Sequence, residues 1–248
     1  MKAVFLGTGE AFDAELPNNS HLIESDTKLL LDCGYSSVQQ MWKYNDEPDF
    51  LDAVFISHQH ADHYFGLPAL LTKMWEQKRK KPLSIICAKK TGSAIRKVLE
   101  YAYPTFPKRF EFDVKYVAAA EGKKVRLNEL TLEFARTVHS ADNLAIRVSD
   151  GAHSACYSGD GMFNKKTERL YNGCDLLIHE GYLFDTSLFG HASIKEVIEM
   201  ARRNDVKCVA LTHLYRKMRK GQLAEINDYL SKERVKAVIP KPFDEHEF

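Results

Sequence analysis

The chain has 248 residues, 44% of them hydrophobic and 28% charged. A chain of that size buries about three-quarters of its unfolded surface without needing staples, and it is too apolar to be a disordered polyelectrolyte. Its 35 basic and 34 acidic side chains leave a formal net charge of +1, which argues against a protein that coats nucleic acid along its whole surface.

No apolar run approaches the roughly 20 residues of a membrane span, so no membrane partner is expected. The short apolar run at the N-terminus meets Gly7 as a strand does, not as a signal peptide does. The cysteines Cys33, Cys87, Cys156, Cys174 and Cys208 are odd in number, scattered, and form no C-x-x-C pair. Most adjoin strand-like runs, so buried reduced thiols and a cytoplasmic location are expected. One domain spanning 1–248 fits the length.

In chain order, strands are predicted over Lys2–Leu6, His21–Ser25, Lys28–Asp32 and Ala53–Ser57. A helix is predicted over Leu67–Lys78, where Pro68 suits the first turn and Leu70, Leu71, Met74 and Trp75 share a face. The basic run Lys78–Lys81 reads as its solvated end. Leu83–Cys87 reads as a strand, Gly92–Tyr101 as a helix, and Tyr103–Pro107 as a rigid loop. Further strands fall at Phe110–Val117, Lys124–Leu127, Leu130–Val138, Leu144–Val148, Ser154–Ser158 and Leu176–His179. Helices follow at Ser193–Asn204 and Gly221–Ser231, with strands Lys207–Thr212 and Ala237–Ile239. Strands dominate the front of each half and helices follow, so the expected class is α/β, two face-to-face sheets with helices outside.

The chemistry concentrates at strand ends. After the run Ala53–Ile56 comes Ser57-His58-Gln59-His60-Ala61-Asp62-His63, three imidazoles and a carboxylate in the spacing H-x-H-x-D-H. Such crowding carries a desolvation and repulsion cost that a cation relieves, and the ligand types suit Zn²⁺ and its first-row neighbours. A polar surface loop is the plainer alternative. Downstream, His139, Asp160 and His213 each stand at or just beyond the end of an apolar strand, the edge at which open α/β sheets place their sites. Asp32 follows Leu29–Leu31 in the same way and could ligate metal or orient a ligand histidine.

Together with Phe5-Leu6-Gly7-Thr8-Gly9, Leu29–Gly34, His58–Leu71, Asp175–Glu180 and Gly190-His191-Ala192-Ser193, these residues make the chain resemble the metallo-β-lactamase superfamily, and within it the RNase Z-like branch. The resemblance implies a four-layer αβ/βα sandwich and a site for two divalent ions, with Zn first and Mn or Fe as alternatives. By resemblance, His58, His60 and His139 hold one ion, Asp62, His63 and His213 the other, and Asp160 bridges them. Asp32 orients a ligand, Asp62 also serves as a catalytic base, and Glu180 with His191 assists the leaving group. Diiron relatives carry a glutamate where this chain has His60, and lactamases proper often carry a cysteine where it has Asp160. Relatives that mature tRNA usually have an arm between the segments matching His139 and Asp160. Here that interval reads as a hairpin around Asp150-Gly151.

The expected activity is therefore metal-dependent hydrolysis of a phosphodiester: an RNA end, a cyclic nucleotide or another small diester. Hydrolysis of a carboxylic ester, lactone or thioester is the alternative, and a non-catalytic binding protein is a third. Arg216 and Lys217, soon after His213, are expected to overhang the ions and meet phosphate, with an ordinary charged loop as the other reading. Tyr182, Phe184, Phe189 and Tyr215 are candidates to wall the pocket or to stack on a base, although loop aromatics are as often simple packing. The oligomeric state is open, with a homodimer as one option.

Overall fold

The computed structural model describes residues 1–248. The first half contributes strands β1 (Lys2–Gly7), β2 (Ser20–Glu24), β3 (Lys28–Leu31), β4 (Ala53–Ile56), β5 (Leu83–Cys87) and β6 (Val114–Ala118). The second half contributes β7 (Lys124–Leu127), β8 (Leu130–Arg136), β9 (Leu144–Ser149), β10 (Ser154–Tyr157), β11 (Leu176–Glu180), β12 (Cys208–Thr212) and β13 (Lys236–Val238). The last strand, β14 (Glu245–Glu247), returns to the first sheet and pairs with β1. The two 7-stranded sheets run β14-β1-β2-β3-β4-β5-β6 and β13-β12-β11-β10-β9-β8-β7.

Side chains alternate across each strand, which sorts them into layers. Phe5, Leu29, Leu31 and Phe55 of the first sheet meet Leu130, Leu132, Phe134, Ile146 and Ile178 of the second in a buried layer between the sheets. The intervening residues face outward. Val4, Leu6, Leu30 and Val54 cover helices α1 (Val38–Tyr44), α3 (Leu67–Glu76) and α4 (Lys89–Ala102). Leu177, Val209 and Leu211 cover α5 (Lys165–Tyr171), α6 (Ile194–Arg203) and α7 (Arg216–Lys232). A single turn, α2 (Ala61–Tyr64), lies inside the histidine motif. This is the expected four-layer αβ/βα sandwich. No helix is long and apolar enough to cross a membrane. Strands β3 to β6 are mutually parallel, as are β10 to β13, so the ends of β3, β4, β10, β11 and β12 deliver their following residues to an edge of each sheet.

Several elements differ from the sequence reading. Helices α1 and α5 and strand β14 were not foreseen; α1 buries only Val38 and Met41, and α5 only Thr167 and Tyr171, which is too little pattern to read. Helix α4 starts at Lys89 and not at Gly92, and Phe110–Asp113 lies outside β6. Helix α7 starts at Arg216 and not at Gly221, so the basic run there is helix rather than loop. The hairpin expected between His139 and Asp160 is present as antiparallel β9 and β10.

Arg79 corrects the reading of Lys78–Lys81 as a solvated helix end. Its side chain is fully buried, and its guanidinium donates to the carbonyls of Lys81 (2.7 Å), Leu51 (2.7 Å), Pro82 (3.0 Å) and Pro48. It thereby ties the end of α3 to the segment entering β4. Arg79→Met should lower stability by about 3 kcal/mol or more, because several buried carbonyls lose a charged donor at once. Urea unfolding checks this; a loss under about 1 kcal/mol would show that water takes the guanidinium's place.

Candidate metal centre

Two strand ends turn through left-handed backbone to aim their side chains. Asp32 (φ 59°) follows β3 and His213 (φ 56°) follows β12. Such conformations cost on the order of 1 kcal/mol or more for a non-glycine residue and cluster at functional sites. The loop after Asp32 then presses against the histidine motif. A Cβ on Gly34 would lie 1.9 Å from the carbonyl oxygen of Asp62, so only glycine fits there.

Asp32 is fully buried and accepts four hydrogen bonds. Its Oδ1 takes the Ser57 N–H at 2.7 Å; its Oδ2 takes the Ser57 hydroxyl, the Tyr157 hydroxyl and His63 Nδ1–H, each at 2.7 Å. Since Ser57 Oγ donates to Asp32, it accepts from His58 Nδ1 at 3.0 Å. His139 Nδ1–H donates to the Gly190 carbonyl at 2.8 Å. In each case the outer nitrogen carries a proton and Nε2 is the atom presented to the centre, as a metal-ligating imidazole requires.

The inward-facing atoms converge. His58, His60, His139 and Asp160 form one group, and Asp62, His63, Asp160 and His213 a second, with the ligand atoms of each group within 4.8 Å of one another. Asp160 belongs to both. Its Oδ2 stands 3.4 Å from His63 Nε2, 3.4 Å from His213 Nε2 and 3.9 Å from His58 Nε2. Asp62 Oδ2 stands 3.2 Å from His63 Nε2 and 3.5 Å from His213 Nε2. His139 Nε2 faces His60 Nδ1 at 3.2 Å.

A divalent cation fits this donor set. His58 Nε2, His63 Nε2, His213 Nε2 and Asp160 Oδ1 are buried and have no hydrogen-bond partner, although buried polar atoms are almost always satisfied. The titration behaviour agrees. Burial disfavours charge on His63, yet Asp160, Asp62 and Asp32 outweigh it and raise that imidazole well above its ordinary range. Burial likewise opposes charge on His213, but Asp160, Asp62 and Glu180 push it up to about 10. Asp62 and Asp160 are held far below the usual carboxylate range against the effect of burial, chiefly by His63 and His213. The carboxylates demand positive charge, and protons on the imidazoles supply it where no cation does.

Beside this centre lies a second constellation. Glu180, fully buried at the end of β11, accepts from the Gly161 N–H and from His191 Nδ1–H at 2.7 Å. The His191 ring stacks on Tyr182 at 4.5 Å, 5.2 Å from the His139 ring and 6.0 Å from that of His213. Burial works against charge on His191, but Glu180 outweighs it and raises its pKa.

The structure thus gathers His58, His60, Asp62, His63, His139, Asp160 and His213, with Asp32 behind them and Glu180 and His191 alongside. Arg216 and Lys217 open α7, soon after His213. The Arg216 guanidinium is engaged by Glu10 at 2.5 Å, and Lys217 is an exposed residue in the first turn of α7. Sequence reasoning missed Ser57, Tyr157 and Gly190 as supports. Ser57 sits directly before His58, but a tyrosine 125 residues from its partner carboxylate leaves no local signal. Removing the common acceptor in Asp32→Ala should weaken divalent-ion affinity by about 10–100-fold, measured by competition with a chelator; unchanged affinity would show that the imidazoles need no outer support.

Comparison with known proteins places this arrangement. In sequence the chain is similar to the Ribonuclease Z of Methanothermobacter thermautotrophicus, 26% identical with 86% of each chain covered. In structure it is similar to the short form of human tRNase Z, with a TM-score of 0.80 and 21% identity over 100% of this chain and 99% of that one. It is also similar to the metallo-β-lactamase fold protein YhfI from Bacillus subtilis, with a TM-score of 0.78 and 22% identity over 99% and 98%. These likenesses bear out the metallo-β-lactamase fold and its RNase Z-like branch. The family model described as Anti-Pycsar protein Apyc1 matches residues 1–230, and the chain belongs to that family.

Proposed function

We propose that the chain is a dinuclear metal-dependent phosphodiesterase acting on RNA ends, cyclic nucleotides or small phosphodiesters. The observation that carries this reading is the pairing of two convergent ligand groups with a separate, carboxylate-held imidazole, His191, beside them. Relatives named Ribonuclease Z support a diester substrate. The ligands come from both halves of the chain, which supports residues 1–248 acting as one catalytic domain. Five buried, unpaired cysteines support a reducing, cytoplasmic setting.

His58, His60 and His139 would hold one ion, Asp62, His63 and His213 the other, and Asp160 both. Two such ions, Zn first and Mn or Fe as alternatives, would supply a hydroxide near neutral pH and charge to offset that on the phosphoryl oxygens. The protein's own groups do the rest. Asp62 is held ionised and serves as acceptor for the nucleophile's proton. Glu180 fixes the His191 ring by its Nδ1–H and favours the protonated imidazole, whose Nε2 proton would serve the departing oxygen. Because Glu180 raises the His191 pKa, the acid form is present at low pH and is lost as pH rises through that raised value.

With metal-loaded enzyme, bis-p-nitrophenyl phosphate should be cleaved in preference to p-nitrophenyl acetate, and precursor tRNA should be cut poorly because β9 and β10 leave no arm. His191→Ala should lower turnover by about 10²–10⁴-fold for an alkoxide leaving group, much less for p-nitrophenolate, with metal content unchanged and the high-pH fall in rate abolished. Preference for the acetate would overturn the diesterase reading; equal losses for both leaving groups, or loss of metal, would make His191 a ligand or a packing residue.

A further inference from the structure

We infer that Phe12 is a specificity-determining residue that stacks on a planar ring, a nucleobase, carried by an ester arm of the diester. This rests on the diesterase reading above and adds the chemical class of the group that flanks the phosphate. Phe12 lies between β1 and β2 and is 76% exposed. Isolated exposed phenyl rings are common and need no explanation. This one differs in how firmly its backbone is held and in what it adjoins.

Successive residues of its loop are pinned by different elements. The Ala11 carbonyl accepts from the Tyr35 hydroxyl. The Phe12 N–H donates to Glu10 Oε2 at 2.7 Å, and Glu10, 2% exposed, is itself held by Arg216 at 2.5 Å. Asp13 Oδ1 accepts from the N–H groups of Glu15 and Leu16, while its Oδ2 accepts from Arg219 at 2.8 Å. Glu15 pairs with Arg219 at 3.1 Å and with Lys220 at 2.6 Å. The opening turns of α7 therefore grip this loop. Its root lies beside a ligand: the Thr8 carbonyl accepts from the His213 N–H at 2.9 Å, and Gly9 pairs with Leu214.

The ring also ends a continuous row. His191 stacks on Tyr182 at 4.5 Å, Tyr182 meets Tyr215 at 5.4 Å, and the Arg216 guanidinium lies 5.5 Å from the Tyr215 ring and 5.9 Å from the Phe12 ring. The row runs from the proton-donating imidazole to solvent. A diester seated at the ligand cluster would lay one ester arm along it, and stacking on successive π faces is how proteins hold bases without reading their edges. Arg216 then acts as a positioning residue, ordering Glu10 and Phe12 through its ion pair.

The test uses metal-loaded full chain and three diesters: thymidylyl-(3′→5′)-thymidine and two abasic analogues, each lacking one base. Wild-type enzyme should prefer the dinucleotide, and the analogue keeping the stacked base, over the other analogue. Phe12→Ala should reduce that preference, as a ratio of kcat/KM, by about tenfold, through KM. Phe12→Trp should restore it. Equal losses on all three substrates, no change in the ratio, or cleavage of bis-p-nitrophenyl phosphate with no use of base-bearing diesters would overturn the inference. So would dissociation of an oligomer by Phe12→Ala, seen by light scattering with KM unchanged, since the ring would then pack against a second copy. Failure of the wild type on every diester would instead overturn the diesterase reading.

Discussion

Asp32 is the point on which the site depends. It is buried between the two sheets and joins them where the chemistry is gathered. Its carboxylate takes hydrogen bonds from Ser57 and His63 of the first sheet's edge and from Tyr157 of the second. A buried carboxylate is costly unless its lone pairs are filled, and here protein donors fill them. One group thereby ties the two sheets together at the site and fixes the tautomer of His63 and, through Ser57, that of His58. The left-handed backbone at Asp32 and the close approach at Gly34 follow from the need to bring this carboxylate under the histidine motif.

The ligand cluster is the reverse case. Several of its polar atoms, on His58, His63, His213 and Asp160, are buried and lack hydrogen-bond partners within the chain. The same low-dielectric surroundings that strengthen the Asp32 network make this cluster unfavourable without positive charge. Protons on His63 and His213 relieve it in part. A cation relieves it more fully, since it can meet several donor atoms at once. The His191–Glu180 pair is different in kind. Glu180 holds His191 at 2.7 Å and also lies 3.7 Å from His213, so the pair can hold a proton directly beside the centre.

Much of this was legible in the sequence because each ligand ends a strand. His58–His63 after β4, Asp160 beyond β10 and His213 after β12 could be placed at an edge from local pattern alone, and the resemblance implied their grouping. The sandwich was legible for the same reason, since alternating apolar strands separated by amphipathic helices allow few layer orders. What stayed hidden depends on contacts between distant residues. Arg216 pairs with Glu10, which lies 206 residues away. Arg79 looked like one of four solvated charges until the carbonyls around it were seen. Helix α1 and helix α5 bury too few side chains to leave a periodic signal.

The central claim is that two convergent ligand groups sharing Asp160 hold two cations per chain. Anomalous diffraction from metal-loaded crystals, with elemental analysis of the same preparation, tests it most directly. The account predicts two peaks, one among His58, His60, His139 and Asp160 and the other among Asp62, His63, His213 and Asp160, with close to two equivalents of metal. A ceiling of one equivalent, or side chains dispersed from these positions, would contradict it.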